Sequence, residues 1–159
     1  MAVALPAGLA YRFFNPGDDN LELIMVVEEI PAGFAPNATM SVGDYRLTLP
    51  SVGMHWAHIG RGFVYDVPPK FVNPMGMAAV SIDSFDIAQP HTHPAAAEEI
   101  WLQVKGTSLL LLGSRLLRQE PGEAFLIPPN NCVPHSSINP TNEPMVWLYM
   151  GNRHDQVKK

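Results

Sequence analysis

Apolar residues fall in short runs along this chain, several alternating with polar ones, and no long stretch carries a helical period. The pattern predicts strands at Leu21–Val27, Tyr45–Leu49, Met54–Ile59, Phe63–Val67, Met77–Phe85, Glu99–Val104, Ser108–Leu112, Ala124–Ile127 and Met145–Met150. Turn signals separate them, among them Asn15-Pro16-Gly17-Asp18, Leu112-Gly113-Ser114 and Glu120-Pro121-Gly122. Sixteen prolines and twelve glycines spread over the whole length disfavour helices, and even Pro94–Ala97 reads as a loop. Many short strands at this spacing predict an all-β sandwich or barrel.

Composition narrows the picture. At 159 residues the chain has the size of one domain with a real core. Charged residues make up 16% and apolar ones 47%, so a surface this poor in charge is expected to meet a ligand or a second subunit, and a homodimer is the expected state. The net charge of −5 comes with no basic cluster, which excludes a nucleic-acid partner. No apolar run approaches the ~18 residues of a membrane helix, and Met1–Ala10 lacks the basic start of a secretion signal, so no membrane partner is expected and the cytoplasm is the default compartment. The single cysteine, Cys132, can form neither an internal disulfide nor a cysteine-based zinc site. It reads as a plain loop residue.

An internal echo bears on domain organisation. Asn15-Pro16-Gly17-Asp18-Asp19-Asn20-Leu21-Glu22-Leu23-Ile24-Met25 parallels Asn139-Pro140-Thr141-Asn142-Glu143-Pro144-Met145-Val146-Trp147-Leu148-Tyr149, turn followed by apolar run. Either a common pattern has arisen twice, or residues 1–50 are an N-terminal strand extension left from a preceding copy of the same domain. The expected division is that extension, a barrel over 51–151, and a polar tail over 152–159.

The chemistry concentrates in His91-Thr92-His93-Pro94-Ala95-Ala96-Ala97-Glu98-Glu99-Ile100-Trp101-Leu102-Gln103. Histidines one residue apart on a strand share a face with roots about 7 Å apart, so both rings can converge on one ion. A strand returning beside them delivers Glu98 or Glu99. Ile100, Leu102 and Val104 form one apolar face, which leaves Glu99, Trp101 and Gln103 on the other; Glu99 is therefore the preferred ligand, and Glu98 a rival or a base beside the metal. Gln103 is the polar candidate for positioning a substrate.

A third imidazole, His135, follows Gly122 and Pro128. His91, His93, Glu99 and Gly106, then Gly122, Pro128, His135 and Asn139, resemble the two signature motifs of the cupin superfamily, small jelly-roll β-barrels. The resemblance covers about residues 75 to 151. The loop between His93 and Glu99 is one residue longer than the pattern, Asn130 stands in place of a glycine, and the turn before His135 is two residues longer. The resemblance implies a cupin-type jelly-roll barrel with extra N-terminal strands and a metal held by His91, His93, Glu99 and His135. Such a mixed nitrogen and oxygen set suits one divalent transition metal among Fe, Mn, Ni, Cu and Zn.

Other residues carry plainer expectations. Trp101 reads as barrel packing; Phe125, Trp147 and Tyr149 read as core; Asn139 reads as a tie for its own turn. His55 and His58, three apart on a predicted strand, point to opposite faces, so that one of them lines the cavity or a subunit interface. His154 reads as solvated. The functional expectation is a metal-dependent, dioxygenase-like oxidoreductase acting on a small organic molecule. The alternatives are a non-catalytic cupin that binds a sugar or organic acid, and a cupin isomerase or lyase.

Overall fold

The computed structural model describes residues 1–52, 55–73, 76–129 and 132–154. It is an all-β structure of the jelly-roll kind: one short 3-10 turn at Tyr45–Leu47 is the helix among these residues. The strands are β1 (Ala2–Ala4), β2 (Ser41–Gly43), β3 (Ser51–Val52), β4 (Ile59–Gly62), β5 (Met77–Ile82), β6 (Ala97–Lys105), β7 (Ser108–Leu112), β8 (Arg115–Gln119), β9 (Ala124–Ile127), β10 (His135–Ile138) and β11 (Met145–Arg153).

A six-stranded sheet in the order β3-β4-β5-β11-β6-β9 faces a three-stranded sheet in the order β10-β7-β8. Every pairing is antiparallel. Bridges Ile87↔Ile138 and His91↔His135 add the segment before β6 to the free edge of β10. The core lies between the layers: Ile82, Trp101, Ile127, Met145 and Trp147 from the large sheet close over Leu110 of the small one and Ala88. Alternation along β6 sends Ala97, Glu99, Trp101 and Gln103 inward and leaves Ile100 and Val104 at 37% and 45% exposure outside. The polar-bearing set therefore faces in, and Glu99 enters the interior already aimed at the mouth of the barrel.

Two polar devices fix the ends of the long strands. Asn139 Nδ2 donates to the carbonyls of Ile82, Asp83 and Glu143, while its Oδ1 accepts from Thr141 N, so this buried amide ties its turn as its type predicts. Gly106 sits at φ +74, and a Cβ there would lie 3.0 Å from Met145 Cβ; the β6–β7 turn has room only for glycine.

Several elements differ from the sequence expectation. Leu21–Val27 is no strand: it pairs with nothing among the described residues, and its apolar side chains lie exposed, because β-favouring residues make a strand only beside a neighbour that shares hydrogen bonds. Tyr45–Leu49 begins as the 3-10 turn, capped by Asp44, whose carboxylate accepts from Arg46 N. Phe63–Val67 contributes one bridge, Tyr65 to Gly43. Of Met54–Ile59, Met54 lies outside the described residues, 55–58 form a turn, and the strand starts only at Ile59. β8 and β10 were absent from the prediction: Arg-Leu-Leu-Arg-Gln and His-Ser-Ser-Ile show no alternation, and their partners in β7 impose the extended form. β11 runs on through Asn152 and Arg153, placed by the sequence in the polar tail, because they pair with Glu98 and Ala97. Residues 155–159 of that tail and Asn130 lie outside the described residues. Among the described residues no helix is long and apolar enough to cross a membrane.

Candidate metal centre

Main-chain pairing brings the first two candidate ligands together. His91 and His135 exchange both backbone hydrogen bonds, 3.1 Å from His91 N and 3.0 Å from His135 N, which sets their ring centroids 4.3 Å apart. The His93 ring follows at 4.9 Å from His91 and 4.8 Å from His135. Glu99, 4% exposed on β6, closes the group: its Oε1 is 3.0 Å from His93 Nε2 and its Oε2 3.9 Å from His135 Nε2. One donor atom from each of His91, His93, Glu99 and His135 lies within 4.8 Å of every other. An ion about 2.1 Å from each donor needs them at most about 4.2 Å apart, so a contraction of a few tenths of an ångström seats a cation.

The polar accounting of the cluster fits a cation. His91 Nδ1 and His135 Nδ1 each lie 2.8 Å from a main-chain carbonyl, of Gln89 and Val133 respectively. A neutral ring that donates Nδ1–H there presents the lone pair of Nε2 to the cluster. His93 Nε2 and His135 Nε2 are buried without a hydrogen-bond partner. His93 Nε2 lies 3.0 Å from Glu99 Oε1, so these two donors stand close enough to share one cation. Outside the cluster, Trp101 Nε1–H donates to Glu99 Oε2 at 2.8 Å.

The electrostatics agree. Burial holds the His91 pKa down to about 4 and lowers that of His135, which favours the neutral, ligating form of both rings. Burial pushes the Glu99 carboxyl up, but His93, Trp101 and His135 outweigh it and hold the pKa below the ordinary value. Tyr149 is pushed up by its burial and by the Glu99 carboxylate.

The other sequence candidates fall elsewhere. Glu98 projects from the opposite face of β6, where its Oε1 meets His154 Nε2 and Asn152 Nδ2, both at 3.1 Å. His154 itself is half exposed. Gln103 shares the Glu99 face but lies two positions further along it. Its amide is consumed by the β6–β7 turn, donating to Lys105 O at 2.9 Å and Gly106 O at 3.0 Å and accepting from Ser108 Oγ at 3.3 Å. Neither side chain reaches the cluster. Trp101 is core, 2% exposed, and also holds the ligand carboxylate.

What the sequence reading missed is the turn at 55–58. His58 N donates to His55 O at 3.4 Å with Ala57 at φ +60, and both rings turn toward the cluster instead of to opposite faces. His55 stacks on His91 with centroids 3.8 Å apart, and His58 packs edge-on against His91 and Trp147. Burial lowers both pKa values, to about 4 for His58, and His58 Nε2 is buried without a partner. The signal was available in the three-residue spacing, which puts two side chains on one side of a turn and on opposite sides of a strand.

An antiparallel β-sandwich holding three imidazoles and a carboxylate at one end defines a small all-β protein with a candidate mononuclear metal centre. Residues 81–151 match the family model described as "Cupin domain". No curated protein matches it. Among solved structures it is similar to a sugar phosphate isomerase from a cupin superfamily of Silicibacter pomeroyi, with 18% identity, 48% of this chain and 49% of that one covered and a TM-score of 0.45. It is also similar to a Cupin 2 conserved barrel domain protein of Salinispora arenicola, with 18% identity, coverage of 51% and 65% and a TM-score of 0.45. A third is the Lactobacillus farciminis oxalate decarboxylase, with 23% identity, coverage of 48% and 23% and a TM-score of 0.43. The match spans less than two thirds of the length of each of these three.

Proposed function

We propose that the protein is a metal-dependent oxidoreductase of the dioxygenase kind acting on a small organic molecule, with His91, His93, Glu99 and His135 as ligands of one divalent transition metal. The observation that carries this reading is the meeting of four donor atoms within 4.8 Å, two of them buried imidazole nitrogens with no other partner. When bound, such an ion supplies Lewis-acid and redox chemistry, with positions left open beyond the four protein donors.

The chain's own residues do the rest. The carbonyls of Gln89 and Val133 hold the His91 and His135 rings in the ligating tautomer, and Trp101 orients Glu99. His55, stacked on His91, is only partly buried, and it meets a polar group of a substrate that enters over the cluster. It takes the place that sequence reasoning gave to Glu98 and Gln103.

The test is oxygen consumption by the full chain loaded in turn with Fe, Mn, Ni, Cu and Zn, against a panel of small acids, phenols and sugars. One equivalent of a redox-active metal with substrate-dependent oxygen uptake is the expected result. Retention of zinc with turnover but no oxygen uptake replaces this reading with an isomerase or lyase. Saturable ligand binding without any retained metal replaces it with a non-catalytic binding module.

A further inference from the structure

A small cavity lies beneath the 3-10 turn, on the face of the sheet that turns away from the candidate metal centre. Val80 and Trp147 face the core, so Ala79, Ser81 and Val146 beside them face out, and the β4–β5 register sets Arg61 next to Ala79 and Ile59 next to Ser81. Tyr45, the first residue of the 3-10 turn, closes the cavity from the other side, its ring edge-on to Phe63 with centroids 5.9 Å apart. The space is about 100 Å³, well above the ~15 Å³ that one water needs.

The polar lining is incomplete. Arg61 is partly buried, and a guanidinium is charged at any working pH. Its Nη1 donates to Thr48 O at 2.6 Å, which uses one of five N–H donors, and among the described residues it forms no ion pair. Asp44, which caps the same 3-10 turn, is taken by Arg46, whose Nε donates to it at 2.9 Å. The Ser81 hydroxyl reaches Ile59 O at 3.5 Å, longer than an ordinary hydrogen bond. A partly buried cation beside a weakly engaged hydroxyl lacks the anion that would offset its desolvation.

The walls select the kind of anion. Ile59, Ala79 and Val146 are apolar, so a phosphate dianion would turn some of its oxygens toward hydrocarbon. A carboxylate needs donors at one end alone, matches the guanidinium fork, and can carry an aliphatic body along the apolar wall. We propose that this cavity binds a small aliphatic monocarboxylate, its oxygens on Arg61 and Ser81 and its chain against Ile59 and Val146. The site is separate from the metal centre, which lies on the inner face, yet β4 joins the two: Ile59 directly follows His58, whose ring packs against His91.

Calorimetric titration of butyrate into the full chain, before and after dialysis against a chelator, tests this. One butyrate per chain is expected to bind saturably in both states. Arg61→Gln keeps an amide that can reach Thr48 O but removes the charge, and is expected to weaken binding about 10-fold or more. Ser81→Leu fills the cavity and leaves the Arg61–Thr48 bond in place; it is expected to abolish binding and serves if Arg61→Gln misfolds. His93→Ala, in the metal centre, is expected to bind butyrate as the wild type does. Absence of saturable binding overturns the proposal, as does binding that survives both cavity variants. Binding that disappears with the chelator or with His93→Ala places the carboxylate at the metal instead, and inorganic phosphate binding as tightly as butyrate overturns the assigned ligand class.

Discussion

His91 and His135 lie far apart in the chain yet exchange both of their backbone hydrogen bonds, and the same bridge that joins their main chains sets their rings 4.3 Å apart. The geometry of this candidate pair is thus part of the sheet geometry. A site built on rigid strands keeps its donors in place before any ion arrives, which lowers the cost of organising them on binding. Removing a ring should cost binding and little of the backbone around it. His93→Ala and His135→Ala are each expected to reduce retained metal at least 10-fold, read by elemental analysis after dialysis. Full occupancy in both variants would remove the assignment.

Trp101 supplies a subtler test. Its indole N–H is the hydrogen bond that holds Glu99 Oε2, at 2.8 Å. Trp101→Phe keeps most of the buried ring and deletes the donor. Metal affinity is expected to fall about 10- to 100-fold, the usual effect of losing an outer partner of a ligand. A competition titration against a chromophoric chelator measures it; an affinity equal to wild type would mean that Glu99 needs no such support.

Part of this candidate centre was legible in the sequence in two ways: strand alternation set Glu99 on the inward face of β6, and the resemblance of the two motifs implied His135. A period of two needs no knowledge of the partner strands, so choosing Glu99 over Glu98 from the Ile100, Leu102, Val104 face required β6 alone. Strand β7 and strand β9 likewise have the bounds that their apolar runs suggest. Long-range information is where the reading failed. His55 and His58 reach the cluster through a turn whose Ala57 takes a left-handed φ of +60, a conformation that alanine does not advertise. Gln103 was a reasonable polar candidate until the β6–β7 turn claimed its amide, because satisfying a buried amide depends on carbonyls that only the fold supplies.

Glu98 and Gln103 separate structural from chemical roles. Gln103→Ala removes the amide that donates to the carbonyls of Lys105 and Gly106, a loss of about 1–3 kcal/mol in unfolding free energy. Metal affinity is expected to stay as in wild type. Glu98→Gln is expected to change neither quantity by much, since the His154 pair it breaks is partly exposed and contributes at most about 1 kcal/mol. A large loss of bound metal in Glu98→Gln, with the fold intact, would return Glu98 to the site.

Acid gives the last prediction, and its sign follows from His58. Burial holds its folded-state pKa near 4, against 6.5 for an ordinary histidine. Below pH 6.5 the unfolded chain therefore takes up a proton that the folded one refuses, so the unfolded state binds more protons and stability must fall as pH falls. The loss begins near pH 6.5, runs through the window down to about pH 4, and stops growing once both states are protonated. His91, also held near 4, adds to it in the metal-free protein. Each such ring contributes up to about 1.4 kcal/mol per pH unit inside the window. Urea melts of the metal-free chain between pH 7 and pH 4 measure the slope, and His58→Phe, which keeps the packing against Trp147 and cannot take up the proton, is expected to flatten it.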